Sequence, residues 1–120
     1  MVAESNSEFI LIVEDEDAIR LSLRDYLEHS GFFVLVASDG VGAIKQMLDH
    51  PVRVIVTDYR MNTFGGDYWV RFLKEFCSDK VVFLTSGYIR PEFSVPYDVI
   101  PKPYEFPELL TLIRTAMAPA

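Results

Sequence analysis

The 120-residue sequence predicts an α/β fold, one domain over 1–120, with a doubly wound five-stranded parallel sheet. Three observations point there. Short apolar runs recur along the chain, amphipathic helical patterns separate them, and each run ends in polar or charged residues instead of continuing as an alternating strand.

The first run, Phe9 to Val13, stops at Glu14-Asp15-Glu16-Asp17, as a strand buried on both faces would. Ile19, Leu23, Tyr26 and Leu27 then recur at helical spacing, with acidic residues at the start and Gly31 at the position of a C-terminal cap. Phe32 to Ala37 predicts the second strand. A helix from about Asp39, with Val41, Ile44, Met47 and Leu48 facing inward, stops at His50-Pro51. Val52 to Thr57 predicts the third strand, with Asp58 just beyond it. After Gly65-Gly66, Trp69, Leu73 and Phe76 share a helix face, which reads as packing, as does Phe72. Val81 to Thr85 is the fourth strand. Gly87, Pro91 and Pro96 punctuate the stretch from Ser86 to Tyr97, so helix four is expected to be reduced to one turn or absent. The short apolar pair Val99-Ile100 supplies the fifth strand, and Leu109, Leu110, Leu112, Ile113 and Met117 lie on a last helix starting near Pro107. Right-handed crossovers give the flavodoxin-like order 2-1-3-4-5.

Composition narrows the function. A net charge of -7 and a pI near 4.7 disfavour direct nucleic-acid binding, which relies on clustered Lys and Arg. Cys77 is the single cysteine, a small hydrophobe or half-exposed thiol, and His29 and His50 stand apart, so neither an internal disulfide nor a zinc site is expected. Residues 1–8 carry neither a basic start nor an apolar run, and no stretch reaches membrane-spanning length. A cytoplasmic setting without membrane contact is the expectation.

In such a sheet, ligands bind beyond the carboxyl ends of the strands. Glu14 and Asp15 follow the first strand, Asp58 the third, Thr85 and Ser86 the fourth, and Lys102 the fifth. Carboxylates gathered there repel one another unless a cation neutralises them. Oxygen-only donors suit magnesium, for which Asp15 and Asp58 supply the carboxylate pair. Asp58 beside such an ion can act as a nucleophile toward phosphorus, with Lys102 absorbing developing charge and Thr85 donating its hydroxyl afterwards. Taken singly, each has an ordinary explanation: Glu14 to Asp17 as an acidic helix start, Asp58 and Thr85-Ser86 as turn residues, Lys102 as a solvated lysine. Their common register is what carries the reading.

These residues resemble the receiver domain of bacterial two-component response regulators, over nearly the whole chain. The resemblance implies that Glu14 and Asp15 are the acidic pair, Asp58 the phosphoacceptor, Thr85 the switch hydroxyl and Lys102-Pro103 the Lys-Pro signature with a cis peptide bond. It makes the Arg60 backbone carbonyl a third metal ligand, while the Arg60 side chain shapes access to Asp58 or is merely solvated. Thr57 to Met61 is similar to the family's phosphorylation segment, with Asn62 where proline is usual. It further implies a histidine kinase or histidine phosphotransfer protein as phosphoryl donor, an unnamed downstream protein, and a signalling switch or phosphate shuttle instead of an enzyme. Three positions before the lysine the family usually has an aromatic; here it is Val99, with Tyr88 or Tyr97 as substitutes. Phe83 to Tyr88 partly resembles a receiver subclass with a degenerate fourth helix. With no effector domain after Ala120, the expectation is a free-standing regulator or a receiver cut from a longer kinase or regulator, and the start at Met1 favours the free-standing form. The alternatives are a pseudo-receiver interaction module not controlled by phosphorylation and, last, a phosphotransferase or phosphatase of another phospho-aspartate family, where Arg60 replaces the usual second aspartate.

Overall fold

The computed structural model describes residues 8–61, 63–87 and 97–118. Five strands, β1 (Phe9–Val13), β2 (Phe33–Ala37), β3 (Val52–Asp58), β4 (Val81–Ser86) and β5 (Asp98–Pro101), pair in parallel in the order β2-β1-β3-β4-β5. The helices are α1 (Asp17–His29), α2 (Gly40–Asp49), α3 (Gly66–Phe76) and α4 (Phe106–Met117). The doubly wound order is as the sequence predicted. The expected loss of a helix before the fifth strand falls on residues 88–96, outside the described residues, as do Tyr88 and Asn62. Among the described residues no helix is long and apolar enough to cross a membrane.

Strand alternation divides the core in two. Ile10, Ile12, Val54, Val56 and Phe83 face α1 and α4, meeting Leu23, Leu27, Leu109 and Ile113. Leu11, Val13, Ile55 and Val82 face α2 and α3, meeting Ala43, Trp69 and Leu73. The sequence misjudged part of two helix faces. On α2, Ile44 and Met47 pack against the core as expected, whereas Val41 and Leu48 are exposed; the fully buried residues of that helix are Gly40, set against Phe64 and Trp69, and Ala43. Phe76 is likewise exposed at the end of α3, its ring tilted against that of Phe72, which lies flat on Trp69 at 5.8 Å. Cys77 is buried, its thiol 3.9 Å from the Met47 sulfur, as a small hydrophobe.

The ends of the helices are set locally. Gly31 follows α1 at φ 98, a left-handed conformation that glycine adopts without penalty. Asp39 caps α2 by accepting from the Gly42 N–H at 2.8 Å. At the far end of the sheet, Arg53 Nε donates to the Ala116 carbonyl at 3.0 Å and so ties the end of α4 to β3.

Gly40 governs the approach of α2 to the loop before α3. A Cβ there would stand 2.3 Å from the Phe64 carbonyl oxygen and 2.6 Å from its ring, while Phe64 itself holds φ 49. Gly40→Ala is therefore expected to cost about 2 kcal/mol through overpacking, read as a lower Tm in thermal unfolding.

Candidate functional site

Parity along the strands decides which side chains meet. Glu14 continues the row of Ile10 and Ile12, Asp58 that of Val54 and Val56, and Thr85 that of Phe83, so all three belong to the α1/α4 side where β1, β3 and β4 end. Asp58 pairs directly with Thr85 in the ladder. Lys102 follows β5 and returns to this edge, its N–H donating to the Ser86 carbonyl at 2.8 Å, and the Lys102–Pro103 peptide is cis, as the resemblance implied.

The lysine ammonium sits between two nearly buried carboxylates. Lys102 Nζ donates to Glu14 Oε1 at 2.8 Å and to Asp58 Oδ2 at 3.2 Å. Glu14 and Asp58 are only 3% and 7% exposed, whereas Asp15 is open to solvent. Glu14 is fixed further by the Glu16 N–H at 3.1 Å, and its carbonyl accepts from the Arg20 guanidinium at 2.9 Å. Arg20 also pairs with Asp17, which straps down the turn between β1 and α1. That role for Arg20 had no motif to announce it.

Burial pushes both carboxyl groups above their usual range. For Glu14 this outweighs the hydrogen bond from Lys102, and for Asp58 it outweighs the lysine's charge, with Asp15 adding repulsion. Burial alone would lower Lys102, but the Glu14 hydrogen bond and the charge of Asp58 hold it above its ordinary value. Beside them, burial pushes the Tyr104 phenol up to about 12, which leaves a neutral hydroxyl at the site.

Glu14, Asp15 and Asp58 each offer a carboxylate oxygen within 4.8 Å of the other two. An all-oxygen cluster with one member open to water fits a hard divalent cation that keeps part of its hydration shell, as magnesium does. Arg60 stands two residues past Asp58, and with Asp58, Ser86, Gly87 and Lys102 it lines a cavity of about 440 Å³ at this edge. The Thr85 hydroxyl is buried and donates to the Thr57 carbonyl at 3.4 Å. Every sequence-predicted site residue thus lies at one edge.

Of the two tyrosines offered in place of an aromatic at position 99, Tyr88 lies outside the described residues. Val99 is half-buried opposite Leu84, one step below the Thr85 level. Tyr97 precedes β5, three residues before the Ile100 that pairs with Thr85, and packs against the core on the α2/α3 side. Sequence reasoning missed Thr57, whose hydroxyl accepts from the Trp69 indole N–H at 2.8 Å and donates to the Asp58 carbonyl at 3.0 Å. The sequence offered only a polar residue at the end of an apolar strand, and its pairing with Trp69, twelve residues on, is visible only in space.

Comparisons with known proteins agree with this geometry. The family model for the response regulator receiver domain matches residues 10–114. The transcriptional regulatory protein YxdJ of Bacillus subtilis is 28% identical over 111 residues, 88% of this chain and 48% of that protein. The sensor kinase CckA of Brucella abortus is 32% identical over 118 residues, 92% of this chain and 12% of that protein. The chain therefore spans half or less of the length of these curated relatives. A crystal structure of a CheY-like response regulator receiver domain protein from Methanospirillum hungatei superposes with a TM-score of 0.83 at 21% identity, covering 92% of this chain and 93% of that one.

Proposed function

The chain belongs to the response regulator receiver domain family, and on that premise we propose that Asp58 accepts a phosphoryl group from a histidine kinase or histidine phosphotransfer protein. The family is one of signalling switches. We read 1–120 as a single receiver domain that works in the cytoplasm as a switch or phosphate shuttle, without contacting nucleic acid itself. The observation that carries this is the placement of Lys102 within hydrogen-bonding distance of both Glu14 and Asp58 at the open edge of the sheet.

Glu14, Asp15, Asp58 and the Arg60 carbonyl would hold magnesium. When bound, the ion neutralises charge on the phosphoryl oxygens as they approach the carboxylates. Asp58 supplies the attacking oxygen: its O–P bond forms as the donor's N–P bond breaks, and the electron pair leaves with the imidazole. Lys102, already beside Asp58, turns its ammonium to a phosphoryl oxygen. Thr85 exchanges the long bond to the Thr57 carbonyl for a phosphoryl oxygen, and that exchange is the switch.

Val99 and the position of Tyr97 favour one second reading, an interaction module whose surface does not respond to the site. Incubation with acetyl phosphate separates the two at the chemical step. Intact mass spectrometry is expected to show a single phosphoryl adduct with magnesium and none with excess EDTA. No adduct on folded protein, from acetyl phosphate or from a phosphorylated histidine kinase, would overturn the phosphoacceptor reading.

A further inference from the structure

On the opposite face of the sheet from the acidic cluster, a second polar chain reaches the same strand end. Thr57 continues the row of Ile55, so its side chain points toward α3 while that of Asp58 points toward α1 and α4. Trp69 is fully buried, and its indole N–H donates to Thr57 Oγ1 at 2.8 Å. With that lone pair occupied, the Thr57 hydroxyl proton is directed to the Asp58 carbonyl, 3.0 Å away. Asp58 ends β3, and the next amide, the Tyr59 N–H, is tied to the Thr85 carbonyl at 3.0 Å. The Tyr59 carbonyl in turn accepts from Gly66 at the head of α3 at 2.7 Å. The peptide between Asp58 and Tyr59 is thus held at its oxygen by Thr57 and at its nitrogen by β4. From that fixed peptide the chain presents the Asp58 carboxylate on one side and the Arg60 carbonyl two residues on. Thr57 also bears on the switch, because its own carbonyl receives the Thr85 hydroxyl.

We propose that Trp69, acting through Thr57, is a positioning residue of the phosphoacceptor site. The indole fixes the Thr57 hydroxyl, and that hydroxyl sets the strand end carrying Asp58 and Arg60. This rests on the magnesium and phosphoryl reading of the same site. A hydroxyl buried among apolar residues costs free energy unless it is hydrogen-bonded, and removing this one takes a partner from the Trp69 N–H and from the Asp58 carbonyl. Partners that orient metal ligands without touching the metal are commonly worth about tenfold in affinity or more.

The test compares wild type with Thr57→Val, Thr57→Ser and Trp69→Phe. Two readouts are used: the magnesium concentration that half-saturates the Tm increase, and the rate of adduct formation with acetyl phosphate. Thr57→Val is expected to raise the half-saturating magnesium about tenfold and to slow uptake comparably. Thr57→Ser, which keeps the hydroxyl, is expected to stay within about twofold of wild type, since only a methyl group is lost. Trp69→Phe is expected to fall between them. Combining Trp69→Phe with Thr57→Val should be no worse than Thr57→Val alone, because both break one chain. A Thr57→Val protein with a lowered Tm but wild-type magnesium response and uptake would overturn the positioning role while leaving the phosphoacceptor reading intact. Should Thr57→Val fail to fold, Trp69→Phe decides alone, wild-type values again overturning the proposal. Wild-type protein that neither responds to magnesium nor takes up phosphoryl overturns both.

Discussion

Asp58→Asn is expected to take up no phosphoryl group under conditions that label wild type completely, and at the same time to unfold at a higher temperature. The first half follows from chemistry, since an amide oxygen is too weak a nucleophile to replace the carboxylate. The second follows from the site's electrostatics. Burial raises the Asp58 carboxyl above its usual range in spite of Lys102, so at neutral pH the folded state carries an ionised group that it holds less well than water does. Asparagine keeps the shape and removes that charge, and Lys102 retains Glu14 as a partner. A gain of about 1 kcal/mol, or roughly 4 °C in Tm, is expected in magnesium-free buffer. Adduct mass and a thermal melt on one preparation check both halves. A lowered Tm would show that the lysine's attraction outweighs the burial cost.

Lys102→Ala is expected to do the reverse to stability and nearly as much harm to chemistry. It leaves Glu14 and Asp58 nearly buried with no ammonium between them, and Lys102 itself is largely covered. The cost at neutral pH is expected to be about 2 kcal/mol, below the ~3 to 5 of a broken fully buried pair because solvent and protons still reach this edge. Phosphoryl uptake should slow about 100-fold or more, as when a donor aimed at developing charge is removed. The pH dependence has a definite sign. Without the lysine both carboxyls rise further above their unfolded values of 4.5 and 3.8, so the folded state binds more protons than the unfolded one above that range. Stability then falls as pH increases through the window above 4.5, more steeply than in wild type. Melts at a series of pH values check this: the deficit of the variant should shrink toward acid and grow toward neutrality. A deficit independent of pH would mean that the lysine acts through packing of its stem.

The sequence was most legible where burial is most complete. β1, β3 and β4 are apolar on both faces because helices cover both, and their abrupt polar endings mark the working edge. That made Glu14, Asp15, Asp58, Thr85 and Lys102 readable from order alone. It was half right on α2, where Ile44 and Met47 pack against the core but the hydrophobicity pattern also favours Val41 and Leu48 over the buried Gly40 and Ala43. Close approach selects for small side chains, and smallness leaves little trace in an apolar stripe. Thr57 was hidden for a different reason: it reads as a β-branched strand residue, and only the position of Trp69 in space shows where its hydroxyl goes.

The bond from Arg53 to the Ala116 carbonyl fastens α4 at the end remote from Lys102. A helix of 12 residues is about 18 Å long, so its two ends lie in different mechanical circumstances. One is clamped to the central strand of the sheet, and the other is joined through Tyr104 and Pro103 to the lysine. A displacement that begins at the lysine is therefore expected to reach α4 as a tilt about Ala116, largest at Phe106 and smallest at the clamp.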